Sequence, residues 1–238
     1  MITSSPVSEA IAAVRARVAA AAEVAGRAPD DVRILFASKT VSAERAAEAV
    51  LAGADLLGES RVQEVVAKAE VLGALPQPPR IHLIGHLQSN KVNAALRHVD
   101  CIETIDALPL AERISDRCVA VGRELDVLVQ VNVSGEPSKF GAAPDDAVEL
   151  ALRVAALPGV RLRGLMTIGA NSPDASRVRA GYALLRELRD TIVGSSAPGT
   201  EDATELSMGM SGDLELAIAE GATTVRVGSA VFGARTRP

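Results

Sequence analysis

The sequence predicts an α/β fold, a single (β/α)8 barrel with an extra N-terminal helix. Short aliphatic or β-branched runs alternate with longer segments whose apolar residues recur at helical spacing, and eight such runs can be counted. Several runs are apolar without a break, as strands covered on both faces by helices must be. A doubly wound open sheet gives the same alternation and is the alternative architecture. A length of 238 residues with no internal linker suits one compact barrel domain.

Ser5 and Pro6 read as a helix start, a capping hydroxyl followed by proline at the first helical position. Gly26 lies where a C-terminal cap belongs, so residues 6–25 form the leading helix. Strands are expected at 32–38, 55–59, 81–85, 101–104, 127–133, 161–168, 204–208 and 224–228. Ile34-Leu35-Phe36 and Val127-Leu128-Val129 are the clearest uninterrupted apolar runs among them. Helices are expected near 42–52, 61–72, 88–97, 108–121, 144–156, 174–193 and 211–220. Pro144 followed by Asp145 and Asp146 marks one of their starts, and Gln88-Ser89-Asn90 reads as the cap of the helix after strand three. Tyr182, the one tyrosine, shares a helical face with Val178, Leu185 and Ile192 and reads as a packing residue.

A formal net charge of -5, three phenylalanines and no tryptophan leave neither a basic footprint nor rings for stacking bases, so nucleic acid is excluded as a partner. No stretch reaches the length of a membrane span. Residues 1–9 lack the cationic region and apolar core of a signal peptide, and a cytoplasmic address is expected. Cys101 and Cys118 form neither a CxxC nor a metal-ligand pattern and read as reduced and structural. Of 25 basic residues only Lys39, Lys68, Lys91 and Lys139 are lysines, which makes the position of each worth following.

Functional groups of such barrels sit at the C-terminal ends of strands. The first strand runs into Ser38-Lys39-Thr40, and a lysine in the partly apolar barrel mouth is suited to condense with an aldehyde. From position alone a solvated loop lysine is the ordinary reading. The segment from Glu205 through Ser207, Met208, Gly209 and Ser211 to Asp213, and the Arg226-Val227-Gly228-Ser229 end of strand eight, supply glycines and hydroxyls. The loops after strands seven and eight are the usual phosphate site of a barrel. A phosphate and an aldehyde together describe pyridoxal 5′-phosphate. Thr224, Arg226 and Gly228 share one face of strand eight, so Arg226 is a candidate donor to a pyridine nitrogen. A buried pair with a carboxylate such as Glu205 is the competing role. His82 and His86 straddle a strand end, where their spacing does not bring both to one metal, and hydrogen-bonded histidines are expected instead.

These segments resemble the pyridoxal phosphate homeostasis protein family, single-domain relatives of the barrel half of alanine racemase. The carriers of the resemblance are Ala37-Ser38-Lys39-Thr40, Leu57-Gly58-Glu59-Ser60 with Val62-Gln63-Glu64, and the run from His82 to Lys91. Ser138-Lys139-Phe140-Gly141, Arg163-Gly164-Leu165-Met166, Leu206-Ser207-Met208-Gly209-Met210-Ser211 and the run from Val225 to Arg235 complete it in order along the chain. The resemblance implies that Lys39 carries the cofactor as an aldimine, that Ser207, Met208, Gly209, Ser211, Gly228 and Ser229 belong to the phosphate loops, and that Arg226 faces the pyridine nitrogen. The chain departs from the family pattern at Ser60, where asparagine is usual, at Ile81 and Leu83, where aromatics flank the histidine, and at Gly212, where aspartate or alanine is frequent.

Members of the family resemble carriers or regulators of vitamin B6 with no accepted reaction. A two-base racemization needs a second acid/base opposite the lysine. Tyr182 is badly placed to supply it, and the second domain that supplies it in the racemases is missing from the pattern. Storage, delivery or regulation of pyridoxal phosphate by a monomer is therefore the expected function, apo forms of pyridoxal phosphate enzymes being the expected recipients. A low-activity, racemase-like enzyme acting on amino acids is the alternative, and a barrel for another phosphorylated ligand a third. The scarcity of lysines suggests Lys139 as a second amine that receives or guides the cofactor.

Overall fold

A computed structural model describes residues 5–233. Ala234 and Arg235 of the last motif, and residues 1–4 of the segment read for a signal peptide, lie outside them. Helix α1 (Pro6–Val24) starts as its sequence predicts, Ser5 Oγ accepting from Ser8 N with Pro6 in the first turn. Eight parallel strands follow, β1 (Arg33–Ala37), β2 (Leu56–Glu59), β3 (Arg80–Leu83), β4 (Cys101–Ile105), β5 (Leu125–Gln130), β6 (Val160–Met166), β7 (Glu205–Met210) and β8 (Thr224–Val227). Each pairs with the next and β8 closes on β1, Leu35 lying opposite Arg226, so the sheet is a closed barrel and the open-sheet alternative is excluded.

Between the strands run α2 (Ala43–Leu51), α3 (Val62–Gly73), α4 (Val92–Ala95), α5 (Leu108–Ala120), α6 (Pro144–Ala155), α7 (Ala175–Gly194) and α8 (Leu214–Ala219), with α9 (Ser229–Phe232) after β8. Two helices are shorter than predicted. Residues 88–97 hold a 3-10 turn over Ser89–Lys91 and only one turn of α-helix, and the Gln88 side chain makes no capping bond. Arg123 reaches across to the Leu96 and Val99 carbonyls and satisfies that chain end without further helix. The helix expected from residue 211 begins at Leu214, because Met210 to Asp213 close a turn in which Asp213 Oδ1 accepts from Met210 N at 2.7 Å.

The two faces of each strand divide the interior. Phe36, Leu57, Ile102, Val127, Leu165, Leu206, Val225 and Val227 join helix residues such as Val65, Ile114, Leu185 and Leu214 in the main apolar layer. The alternate residues turn into the barrel, where a small apolar cluster of Cys101, Leu128 and Met166 is separate from that layer. The same interior also holds polar groups, with His82, Glu103, Gln130, Ser207, Thr224 and Arg226 all buried. Among the described residues no helix is long and apolar enough to cross a membrane.

Candidate functional site at the barrel mouth

Leu35, Ala37 and Lys39 alternate on the inward face of β1, so Lys39 stands at the rim, one step beyond the last barrel residue and half-buried. It lines a cavity of about 570 Å³ together with Ser42, Arg45, Ser211, Gly212, Arg226, Gly228 and Ser229. The loops after β7 and β8 therefore meet Lys39 across one space. At Gly228 an added Cβ would lie 3.1 Å from the Ala37 carbonyl and 3.3 Å from its Cβ, so β1 and β8 come together too closely there for most side chains.

Five of the eight residues singled out in the sequence, Lys39, Ser211, Arg226, Gly228 and Ser229, line this cavity, and the other three do not. Met208 is fully buried in the main apolar layer, because odd and even residues of β7 face opposite ways. Gly209 has φ +89° and packs under α8, where a Cβ would come within 2.4 Å of Ala217 Cβ. Ser207 points into the barrel and donates from Oγ to Glu103 Oε2 at 2.6 Å. Ser60 lines a neighbouring cavity with Arg61, Glu64, His86, Gln88 and Lys91.

Arg226 is buried in the barrel, and Glu205 is not its partner, being paired with Arg33 at 2.7 Å. Arg226 donates through Nη1 to Ser207 Oγ at 2.8 Å and through Nη2 to the Thr167 carbonyl at 2.6 Å. Burial pulls its guanidinium below the ordinary value, with Glu103, Tyr182 and Asp213 pulling the other way. An arginine starts so high that it stays charged. Glu103 is the counter-ion one bond further in. Burial alone would raise its carboxyl, but the hydrogen bond and charge of His82, with Arg226 and Ser207, outweigh burial and hold it below the ordinary range. An ionised Glu103 accepts from His82 Nδ1 at 2.6 Å, which fixes the proton on that nitrogen and leaves the buried Nε2 without a hydrogen-bond partner.

His82 takes the hydrogen-bonded role expected of it, whereas its partner Glu103 and the buried Glu59–Lys68 pair escaped the sequence reading. A carboxylate inside a strand such as Cys-Ile-Glu-Thr-Ile is the unused signal, since an acid is almost never fully buried unless paired. His82 is thus a bonded core histidine. His86 stacks on Phe140 with ring centroids 4.2 Å apart. No cluster of three or more metal-ligating side chains occurs among the described residues.

Tyr182 is fully buried, as the helical pattern predicts, yet its hydroxyl donates to Asp213 Oδ2 at 2.8 Å. Burial and the adjacent Asp213 push its phenol far above the ordinary value. Lys139 sits at the mouth on the loop after β5, donating to Glu136 Oε1 at 2.8 Å and to the Gly169 carbonyl at 2.5 Å. It lines a second cavity that shares Met210 and Gly212 with the first.

The contents of the Lys39 cavity suit pyridoxal phosphate. Its lining brings together a primary amine, glycines and serines of two loops, and the buried guanidinium of Arg226. Comparison with known proteins agrees. The family model described as "Alanine racemase, N-terminal domain" matches residues 10–236. The chain is 44% identical over 232 residues to the pyridoxal phosphate homeostasis protein of Pseudomonas aeruginosa, covering 97% of this chain and 96% of that one. An unknown protein from Bifidobacterium adolescentis superposes with a TM-score of 0.91 at 45% identity, covering 95% of this chain and 94% of that one. PipY of Synechococcus elongatus, solved with PLP bound, superposes with a TM-score of 0.82 at 35% identity over 95% of this chain and all of that one.

Proposed function

The chain belongs to the alanine racemase N-terminal domain family, among its pyridoxal phosphate homeostasis proteins, and we propose that it holds pyridoxal 5′-phosphate on Lys39 for storage, delivery or regulation in vitamin B6 homeostasis. The observation that carries this reading is the convergence of Lys39, Arg226 and the loops after β7 and β8 on one cavity. When bound, the cofactor would supply an aldehyde that a lysine amine at this position can hold, with loss of one water.

The rest of the site binds and orients. Ser211, Gly212, Gly228 and Ser229 form the phosphate side, glycines letting the backbone approach the anion closely. Ser207 and Thr167 hold the guanidinium of Arg226 at a fixed angle, and a permanently charged donor there would leave a pyridine nitrogen set against it unprotonated. An unprotonated ring is a weak electron sink, which suits holding the cofactor better than reaction on it. Ser207 acts here through Arg226, and Met208 and Gly209 act through the packing of the loop.

A low-activity enzyme acting on amino acids would need a second acid/base facing the amine. Tyr182 is committed to Asp213 and does not line the Lys39 cavity, which supports the carrier reading over that one. In the carrier reading the protein works as a cytoplasmic monomer and its recipients are apo forms of pyridoxal phosphate enzymes. In the same reading Lys139, which is bonded to Glu136 and lines the adjoining cavity, receives or guides the departing cofactor.

The test is spectroscopic. Purified protein loaded with pyridoxal phosphate is expected to absorb in the near-ultraviolet or visible region, to be fixed by borohydride and to yield a modified peptide containing Lys39. Lys39→Ala should lose the band. A mutant that keeps a full, borohydride-fixable band overturns the assignment, and a wild type that takes up no cofactor overturns the function.

A further inference from the structure

We propose that Glu64 and Lys68 of α3, with Glu59 of β2, are positioning residues that clamp the main chain on both sides of Lys39 and so aim its amine into the cavity. The proposal rests on the reading of Lys39 as the cofactor lysine and deepens it.

On the N-terminal side the clamp holds Ser38. Lys68 Nζ donates to the Ser38 carbonyl at 2.7 Å and to Glu59 Oε1 at 2.6 Å, while Ser38 Oγ donates to the same carboxylate oxygen at 2.6 Å. All three side chains are buried. On the C-terminal side the clamp holds Thr40, whose N–H donates to Glu64 Oε2 at 2.8 Å. Thr40 has φ +65°, the left-handed region that a β-branched residue avoids, and such a conformation persists only where its surroundings over-determine it. Glu64 and Lys68 are one helical turn apart, with Lys68 Nζ 3.9 Å from Glu64 Oε2, so one face of α3 grips both neighbours of Lys39.

Stability alone does not account for this arrangement. A buried lysine–carboxylate pair is commonly matched or bettered by apolar side chains of the same volume. Here the pair also leaves Glu59 Oε2 buried without a hydrogen-bond partner, a further cost. Burial pushes the Glu59 carboxyl up, Lys68 and Ser38 pull it down, and the nearby Glu64 carboxyl adds to the upward push. What the polar set provides and an apolar one would not is directional hold on a backbone carbonyl and a backbone N–H flanking one residue.

The experiment compares wild type with Glu64→Ala, Thr40→Gly and the double variant Glu64→Ala/Thr40→Gly. Each apo-protein is mixed with pyridoxal phosphate, and three quantities are followed: the rate at which the absorbance band appears, the apparent affinity, and the fraction fixed by borohydride at Lys39. Melting temperatures are taken in parallel. Glu64→Ala should lower the apparent affinity about tenfold, because the strained Thr40 is released and the strand end reorients. The double variant should return to within about twofold of wild type, since glycine occupies the left-handed region without help. Rescue by Thr40→Gly is the signature that a merely stabilising Glu64 would not give. The clamp is overturned if Glu64→Ala binds like wild type, or if the double variant is no better than Glu64→Ala. A wild type that shows no borohydride-fixed Lys39 removes the cofactor-lysine reading and the clamp with it. A normal wild type with indifferent variants removes the clamp alone.

Discussion

Gly209 near the end of β7 and Gly212 in the loop after it lie three residues apart, and the structure assigns them opposite sensitivities to the same substitution. At Gly209 the backbone is at φ +89°, and an added Cβ would sit 2.4 Å from Ala217 Cβ and 3.4 Å from Leu214 Cα. A left-handed alanine costs about 1–2 kcal/mol. The contact cannot be relieved by a rotamer change, since Ala217 Cβ is fixed to the α8 backbone, and overpacking of this kind costs about 1–3 kcal/mol. Gly209→Ala should therefore destabilise the fold by roughly 2–5 kcal/mol, a fall in melting temperature of roughly 4–20 °C at the ~2–4 °C per kcal/mol usual for chains of this length. It should also weaken cofactor binding, because α8 and the Met210 to Asp213 turn move together. At Gly212 no atom lies within 4 Å of an added Cβ and φ is not positive, so Gly212→Ala should change stability by less than about 0.5 kcal/mol. Gly212 lines the Lys39 cavity, but the added methyl meets nothing there, so this variant should also keep its affinity for pyridoxal phosphate within about twofold. Denaturant unfolding and an absorbance titration on the same samples separate the two effects. Equal stability losses in the two variants, or a Gly209→Ala loss below about 1 kcal/mol, would refute the packing argument.

Two further substitutions probe the buried polar groups. Glu103 has its native pKa held below the unfolded value near 4.5, so the unfolded chain binds more protons in that interval and stability rises with pH there. Its contribution is complete above that value and is lost as pH falls through the lower native one. Glu103→Gln should start lower at neutral pH and lose less on acidification; parallel acid profiles would refute this, and the contribution of Glu59, common to both proteins, cancels in the comparison. Tyr182→Phe removes the 2.8 Å bond to Asp213 and should cost about 1.5–3 kcal/mol while leaving the cofactor band intact. If wild-type protein exchanges amino acid Cα protons in deuterated water at enzymatic rates and Tyr182→Phe stops it, Tyr182 is an acid/base and the carrier reading fails.

The barrel was legible because its signals are local. An unbroken run such as Val127-Leu128-Val129 states that both strand faces are covered, and alternation on β8 correctly separates Arg226 from Val225 and Val227. Helix boundaries were misjudged where a tertiary contact ends the chain segment, as Arg123 does for the residues after α4 and Asp213 does before α8. The interior network was hidden for the same reason. Ser207 lies 104 residues from the Glu103 it bonds, so as a sequence feature it read as one more hydroxyl in a phosphate loop. Lys68, four residues after Glu64, has the spacing of a solvated helical ion pair and is instead buried beneath Ser38.

These pairings bear on what the site can do once loaded. Several groups near the mouth that could move a proton are already engaged: Tyr182 with Asp213, His82 with Glu103, Lys139 with Glu136, and Lys68 with Glu59. Each engagement fixes geometry and takes a proton-transfer partner away from any substrate. The rim points the same way. Met210, which lines the Lys39 cavity and the adjoining one, and Ile168, which lines the second, stand exposed at 38% and 37% of their surfaces, so water has access to the cavity edge. An enzyme working through a reactive carbanion gains from excluding water, whereas release of an aldehyde from a lysine is hydrolysis and consumes one water. An open mouth over a fixed lysine, with its neighbouring acids and bases tied down, therefore favours reversible attachment and supports the carrier reading over turnover.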